Sequence, residues 1–247
     1  MDRILYTAMS GARQSMEQQS VISHNLANAT TSGFRAQLHA LRAVPVQGDG
    51  LLPTRVSVMA TTPGSDFSAG PVNATGRDLD VALQADAWLA VQGGDGAEAY
   101  TRRGDLQIDG DGLLRSGGRP VIGDAGPVVI PPGAQVFMGA DGTLSVLGAG
   151  EDPDAIVEAG RMKLVSASDT PLRRGDDGLF RPADAGVLPA DDNARLLSGA
   201  LEGSNVSTVA TMVEMIGSAR RYEMQMKVLQ SADDNAQRAN SLLSLQG

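Results

Sequence analysis

The chain has no cysteine among its 247 residues, which excludes disulfides, thiolate metal sites and thiol nucleophiles. That lack suits a polypeptide that must enter an oxidising space unfolded, without mispaired thiols. Aromatic residues are scarce, at 3%, and no basic patch interleaved with aromatics exists to clamp a nucleic acid. No run approaches the roughly 20 apolar residues that cross a bilayer. The opening Met1-Asp2-Arg3-Ile4-Leu5-Tyr6 lacks the charged-then-apolar layout of a secretory signal. By themselves these features predict a cytosolic protein. Histidine is limited to His24 and His39, and no His-Glu-x-x-His, Walker-A, Rossmann or nucleophile-elbow pattern occurs. The sequence assigns no catalytic, cofactor-binding or metal-binding residue. Asp105, Asp109 and Asp111 beside Gly112 hint at a calcium loop, but the downstream Glu is missing, and hairpin-turn geometry explains them.

What the chain does have is apolar periodicity at both ends. Leu5, Met9, Ala12, Met16, Ile22 and Leu26 recur near the start; Val209, Val213, Ile216, Ala219, Met226, Leu229, Ala236 and Leu243 do much the same near the finish. Such spacing places side chains on one stripe of an α-helix. The first helix is predicted from about Arg3 to Asn28, before Thr30-Thr31-Ser32-Gly33, whose glycine can take a left-handed conformation. The last is predicted to start after Ser204 or Asn205, either of which can cap it, and to run to about Leu243. At 1.5 Å per residue the two helices span roughly 39 and 57 Å.

Between them the pattern is β. Pro and Gly punctuate residues 35–75, read as a connector with short strands such as Arg55–Met59. Leu79–Leu83, Trp88–Val91 and Tyr100–Ile108 read as strands, with a hairpin turn at Asp109-Gly110-Asp111-Gly112. Further short strands are predicted at 128–130, 135–138, 143–147, 161–165 and 179–181. The net charge of −9 is carried almost wholly by residues 75–200, which argues against nucleic acid or an anionic membrane as partner.

The expected fold class is therefore α+β. A discontinuous, coiled-coil-like helical domain comes from residues 1–34 and 199–247, the connector covers 35–75, and a central, mainly antiparallel β-domain covers 76–198. The terminal helices either close a monomer or pack against other copies. The second reading is favoured, because long isolated helices are marginal and gain by burying further faces.

These residues also carry a resemblance. His24-Asn25-Leu26-Ala27-Asn28-Ala29-Thr30-Thr31-Ser32-Gly33-Phe34-Arg35 resembles the N-terminal signature of the flagellar basal-body rod and hook proteins. That signature, Asn-Leu-Ala-Asn-x-x-Thr-x-Gly-Phe/Tyr, falls on Asn25 through Phe34 without a gap. Gly199–Val206, Met212–Ile216 and Arg220–Glu223 are similar to the C-terminal half of the family, and Thr75–Leu83 and Tyr100–Gly104 to its middle. Within the family, Met1-Asp2-Arg3, Tyr6–Ala12 and Phe34–Gln37 look like a proximal-rod member. The alternatives are a distal-rod member, or a secreted β-type binding module oligomerised by a coiled coil.

The resemblance implies a structural, non-enzymatic rod subunit that supports motility and transmits motor torque. It implies export through the flagellar type III apparatus without a cleavable signal, which overrides the cytosolic expectation, and assembly in the periplasmic rod with copies of itself and other rod proteins. No cofactor, membrane insertion, nucleic acid or small-molecule substrate is implied. The candidate assembly residues on the N-terminal side are Leu5, Met9, Ala12, Met16, Ile22, Asn25, Leu26, Asn28, Thr31, Gly33 and Phe34. On the C-terminal side they are Asn205, Val206, Val209, Val213, Ile216, Arg220, Met226 and Leu229.

Overall fold

The computed structural model describes residues 2–45, 56–148, 150, 152–168 and 170–244. Contacts divide the chain into two units. The first comprises Met1–Ala29, Gln37–Gly64 and Val206–Gly247; the second comprises Thr30–Ala36 and Ser65–Asn205.

The first unit holds helix α1 (Asp2–Ala27), helix α2 (Thr208–Ser244) and a two-stranded sheet of Gln37–Pro45 with Val56–Ser65. Of the predicted strand Arg55–Met59, Arg55 lies outside the described residues. The helices pack side by side and antiparallel. Gly11 faces Gln225, Ser218 Oγ donates to the Ser15 carbonyl at 3.2 Å, and Arg221 donates to Gln18 at 3.1 Å. Covered positions on α2 are Thr211, Met215, Ser218, Tyr222, Gln225, Leu229 and Ala232, alternating four and three apart. On α1 the matching series is Ala8, Ala12, Ser15, Gln19, Ile22 and Leu26.

This seam shares Leu229 with the stripe the sequence pointed to on α2 but leaves Val209, Val213, Ile216 and Met226 exposed. Small side chains such as Ala12, Ser15, Thr211 and Ser218 let two helix backbones approach closely, so size rather than hydrophobicity selects the contact face. The larger Val209, Val213 and Ile216 lie on the opposite side of α2. The start of α2 also differs from expectation. Ser207, and neither Ser204 nor Asn205, caps it: its hydroxyl accepts from Ala210 N at 3.4 Å, and its carbonyl accepts from Thr211 N at 2.9 Å.

The second unit is β apart from one short 3-10 turn at Pro153–Ala155. Its largest sheet is antiparallel with strand order Leu164–Ser166, Ala87–Gln92, Glu98–Thr101, Phe180–Pro182, Leu172–Arg174. Side chains alternate faces along a strand, and here both faces are covered. Ala87, Leu89 and Val91 join a core with Val81, Leu106, Leu114, Ile130 and Leu144. Trp88 and Ala90 join Tyr100, Val165, Leu172, Phe180 and Leu188. Three-stranded sheets form from 106–120 and 135–161, and Leu196–Ser198 pairs with Val81–Leu83. Ala200–Glu202, expected in the helical domain, forms a strand with Val72–Ala74 instead.

Two predicted strands are broken. Tyr100–Ile108 divides into Glu98–Thr101 and Leu106–Ile108 because Gly104 is pressed against the Val81 carbonyl, where a Cβ would lie 1.7 Å from the oxygen. The 161–165 stretch divides into Val157–Arg161 and Leu164–Ser166. The hairpin at Asp109–Gly112 stands where the sequence placed it, with Gly112 N donating to the Asp109 carbonyl at 3.0 Å.

A buried polar chain crosses the five-stranded sheet. Lys163 Nζ donates to Glu98 at 2.7 Å, the Tyr100 hydroxyl donates to Glu98 at 2.9 Å, and that hydroxyl accepts from Leu188 N at 2.7 Å. Burial first, and Glu98 second, push the Tyr100 hydroxyl well above its ordinary value near 10. The folded state therefore keeps a proton that the unfolded chain releases. The stabilisation is complete below about pH 10 and is lost as pH rises beyond it. Urea unfolding followed by Trp88 fluorescence checks this. Tyr100→Phe is expected to be less stable by about 1–3 kcal/mol at pH 8, since Leu188 N loses its acceptor. Its stability should then fall less steeply than that of the parent above about pH 10.

Candidate functional site

In the first unit, the residues of interest face solvent. Met9 is 69% exposed, Val209 75%, Val213 64% and Ile216 56%, and Met16 and Met226 are exposed as well. Met212, Met224 and Val228 join them. Scattered exposed apolar residues are ordinary, but a stripe this long along one pair of helices marks a contact surface. Ala12 and Ile22 are buried, and Leu26 and Leu229 half-buried, because they sit in the seam between α1 and α2. Arg220 is exposed and Val206 half-buried. The side chain of Leu5 lies outside the described residues.

Asn25 works at the end of α1. Its Nδ2 donates to the Gln37 carbonyl and its Oδ1 accepts from Gln37 N, both at 2.9 Å, fastening the helix to the strand that follows. Asn28 donates to the His24 carbonyl at 2.9 Å and so closes the last turn. These two signature asparagines thus have local structural tasks.

The end of the signature, Thr30 to Phe34, belongs to the second unit, where residues 30–36 and 199–205 meet. Glu202 is the centre of the junction. Its Oε1 accepts from Arg35 Nη2 at 2.7 Å and from Gly70 N at 3.0 Å, and its Oε2 accepts from Arg102 Nε at 2.7 Å. Its carbonyl accepts from Gly33 N at 2.8 Å. Arg102 donates in addition to the carbonyls of Leu83, Ala85 and Ala87 at 2.6–2.9 Å. Burial pulls the Arg102 guanidinium below its usual proton affinity, and Glu202 opposes that shift. Asn205 accepts from Ala36 N at 2.7 Å and donates to the Asp66 and Ser68 carbonyls at 2.9 and 3.1 Å. Phe34 is buried beneath Arg174, whose guanidinium carbon lies 4.5 Å from the ring centre. Thr31 is half-buried. Gly33, Phe34 and Asn205 are therefore engaged in contacts within the chain.

Gly33 is required twice. Its φ is +65°, and a Cβ there would lie 2.3 Å from the Arg102 carbonyl carbon and oxygen. Gly33→Ala is expected to destabilise the second unit by at least about 2 kcal/mol. A lowered thermal midpoint of the β-rich transition, with α1 and α2 helicity kept, would be read by circular dichroism.

Arg35, Arg102 and Glu202 were not among the residues chosen from the sequence. They stand in the matched blocks, yet an isolated charge beside polar neighbours carries no sequence mark of burial. The hint available was their position within two residues of Phe34, Tyr100 and Leu201. Asp109, considered for calcium, is occupied by its own turn. Its oxygens accept from Asp111 N and Leu113 N at 2.9 Å and from Arg115 Nε at 2.5 Å, and the Arg115 contact holds its carboxyl low. Among the described residues no group of three or more His, Cys, Asp or Glu is placed to hold a metal ion.

Three flagellar family models match the chain: "Flagella basal body rod protein" over 5–35, "Flagellar hook protein FlgE/F/G D1 domain" over 82–146, and "Flagellar basal body rod FlgEFG protein C-terminal" over 197–242. The chain is 55% identical to the flagellar basal-body rod protein FlgF of Escherichia coli (strain K12), across 99% of this chain and 100% of that protein. It is 53% identical to FlgF of Salmonella typhimurium, again across 99% and 100%. To the flagellar basal-body rod protein FlgG of Bacillus subtilis it is 30% identical, across 95% and 96%.

Proposed function

The chain belongs to the flagellar basal-body rod protein family, and from that premise we propose that it polymerises helically through its terminal helices to carry motor torque. It is a structural subunit of the basal-body rod, of the proximal FlgF type. The distal alternative is disfavoured by the lower identity to FlgG. In this reading α1 and α2 pair as a short-residue coiled coil, and their outer apolar stripe meets other copies and other rod proteins. Helical shafts need heterologous contacts, in which two different faces of each subunit meet. Export through the type III apparatus to the periplasmic rod belongs to the same proposal.

The observation that carries it is the solvent-facing series Val209, Val213 and Ile216, spaced along α2 away from the seam. The test is complementation of an Escherichia coli strain lacking its own FlgF. Swimming should return in soft agar, and the chain should co-purify with hook–basal bodies. Stable accumulation of the chain without either result would count against the proposal.

A further inference from the structure

The second unit contains a cavity of about 320 Å³ between Arg35, Arg102, Trp88, Phe67, Ser168 and Thr170. Its size falls within the range of small-ligand pockets. Its chemistry is unusual for a pocket that serves stability alone. Arg35 is 2% exposed, and only its Nη2 is satisfied, by Glu202; its Nε and Nη1 are buried with no acceptor among the described residues. Buried donors left unmade are costly, and a guanidinium more so than a neutral group.

Arg35 and Arg102 line the cavity, and nearby Arg174 Nη1 donates to the Arg35 backbone carbonyl at 3.4 Å. Arg174 has no ion pair among the described residues, and burial alone lowers its proton affinity. Among the described residues, the carboxylates placed here are Glu202 and Asp86. Asp86 lies on the cavity wall, accepts from the Ser168 hydroxyl at 3.4 Å, and bears electrostatically on Arg102. The donors without acceptors are on Arg35. The other wall is aromatic. Phe67 is 47% exposed and meets the rings of Trp88 and Phe180 at 5.8 Å in each case.

We propose that this cavity is a binding site for one carboxylate borne on a short apolar body, with the carboxylate on Arg35 and the apolar part against Phe67 and Trp88. A guanidinium with free N–H groups matches a carboxylate in geometry as well as charge, and an exposed ring beside buried ones offers an apolar landing surface. The carboxylate could arrive on a free organic acid or on a Glu or Asp side chain of a second copy. The acidic surface of this same unit supplies such side chains. The proposal does not rest on rod assembly.

Trp88 is the only tryptophan, so its fluorescence reports the site directly in the full-length chain. Titration with 3-phenylpropionate is expected to give a saturable change, while the uncharged 3-phenylpropanamide gives none. Thr170→Phe, which fills the cavity and leaves the Arg35–Glu202–Arg102 contacts in place, should weaken binding at least tenfold with an unchanged thermal midpoint. Sedimentation velocity separates the two sources. Concentration-dependent association that 3-phenylpropionate dissolves assigns the site to a second copy's acidic side chain, whereas binding without such association assigns it to a free acid. Equal responses to acid and amide, no saturable response to either, or unweakened binding in Thr170→Phe would each overturn the proposal.

Discussion

Glu202→Gln is expected to lower the thermal midpoint of the β-rich unit by about 6–20 °C, corresponding to the loss of about 3–5 kcal/mol. The reason lies in what remains after the change. Arg35 and Arg102 stay buried beside the amide, and their mutual repulsion loses its compensation. The Gln amide can still accept one hydrogen bond, but its NH₂ group faces a guanidinium. Removing one partner of a buried ion pair costs far more than the pair contributes when compared with an apolar replacement. Three apolar substitutions together would not be neutral here, because Arg102 also serves the carbonyls of Leu83, Ala85 and Ala87. Differential scanning calorimetry would decide the point. A fall of less than about 2 °C would mean that the junction between residues 30–36 and 199–205 is held by something other than these charges.

The second large effect should be invisible to calorimetry. Ile216→Asp combined with Val213→Asp should leave both units of the monomer folded, since these side chains are 56% and 64% exposed. Swimming and recovery with hook–basal bodies should nevertheless be abolished. Burying an unpaired carboxylate at a subunit contact costs several kcal/mol, and about 1.4 kcal/mol is tenfold in affinity. Association at each contact would therefore fall by roughly a thousandfold or more. Val213→Asp and Ile216→Asp singly should lie between the parent and the pair. Normal swimming by the double variant, with normal expression, would remove the outer stripe of α2 from the assembly surface. Leu26→Asp is less diagnostic, because Leu26 is half-buried in the seam and its loss would disturb the α1–α2 pair as well.

The terminal helices, the hairpin at Asp109–Gly112 and the β character of the middle were legible because each rests on local periodicity or turn chemistry. Helix spacing survives in Met9, Val209, Val213 and Ile216 whichever face they finally present. The phase of contact was not legible. Small residues at Ala12, Ser15, Thr211 and Ser218 form the seam, and smallness is a weak sequence signal beside a row of large apolar side chains. The start of α2 was misplaced by a few residues for a related reason. Ser204, Asn205 and Ser207 are all competent caps, and Asn205 is drawn away by Ala36, Asp66 and Ser68.

Fold class, the helices at both ends with β structure between them, and kinship with the rod proteins follow from the sequence alone, since helix period, Gly-Asp turns and the Asn25–Phe34 signature are properties of neighbouring residues. Tertiary structure alone decides that Gly33, Phe34 and Asn205 work inside the chain, that Glu202 unites Arg35 and Arg102, and that part of Arg35 is left unsatisfied beside Trp88. The Glu202 contacts join residues separated by 100 and 167 positions, and the Asn205–Ala36 contact spans 169. Their energies come from burial and charge pairing, which exist only once distant segments have been brought together.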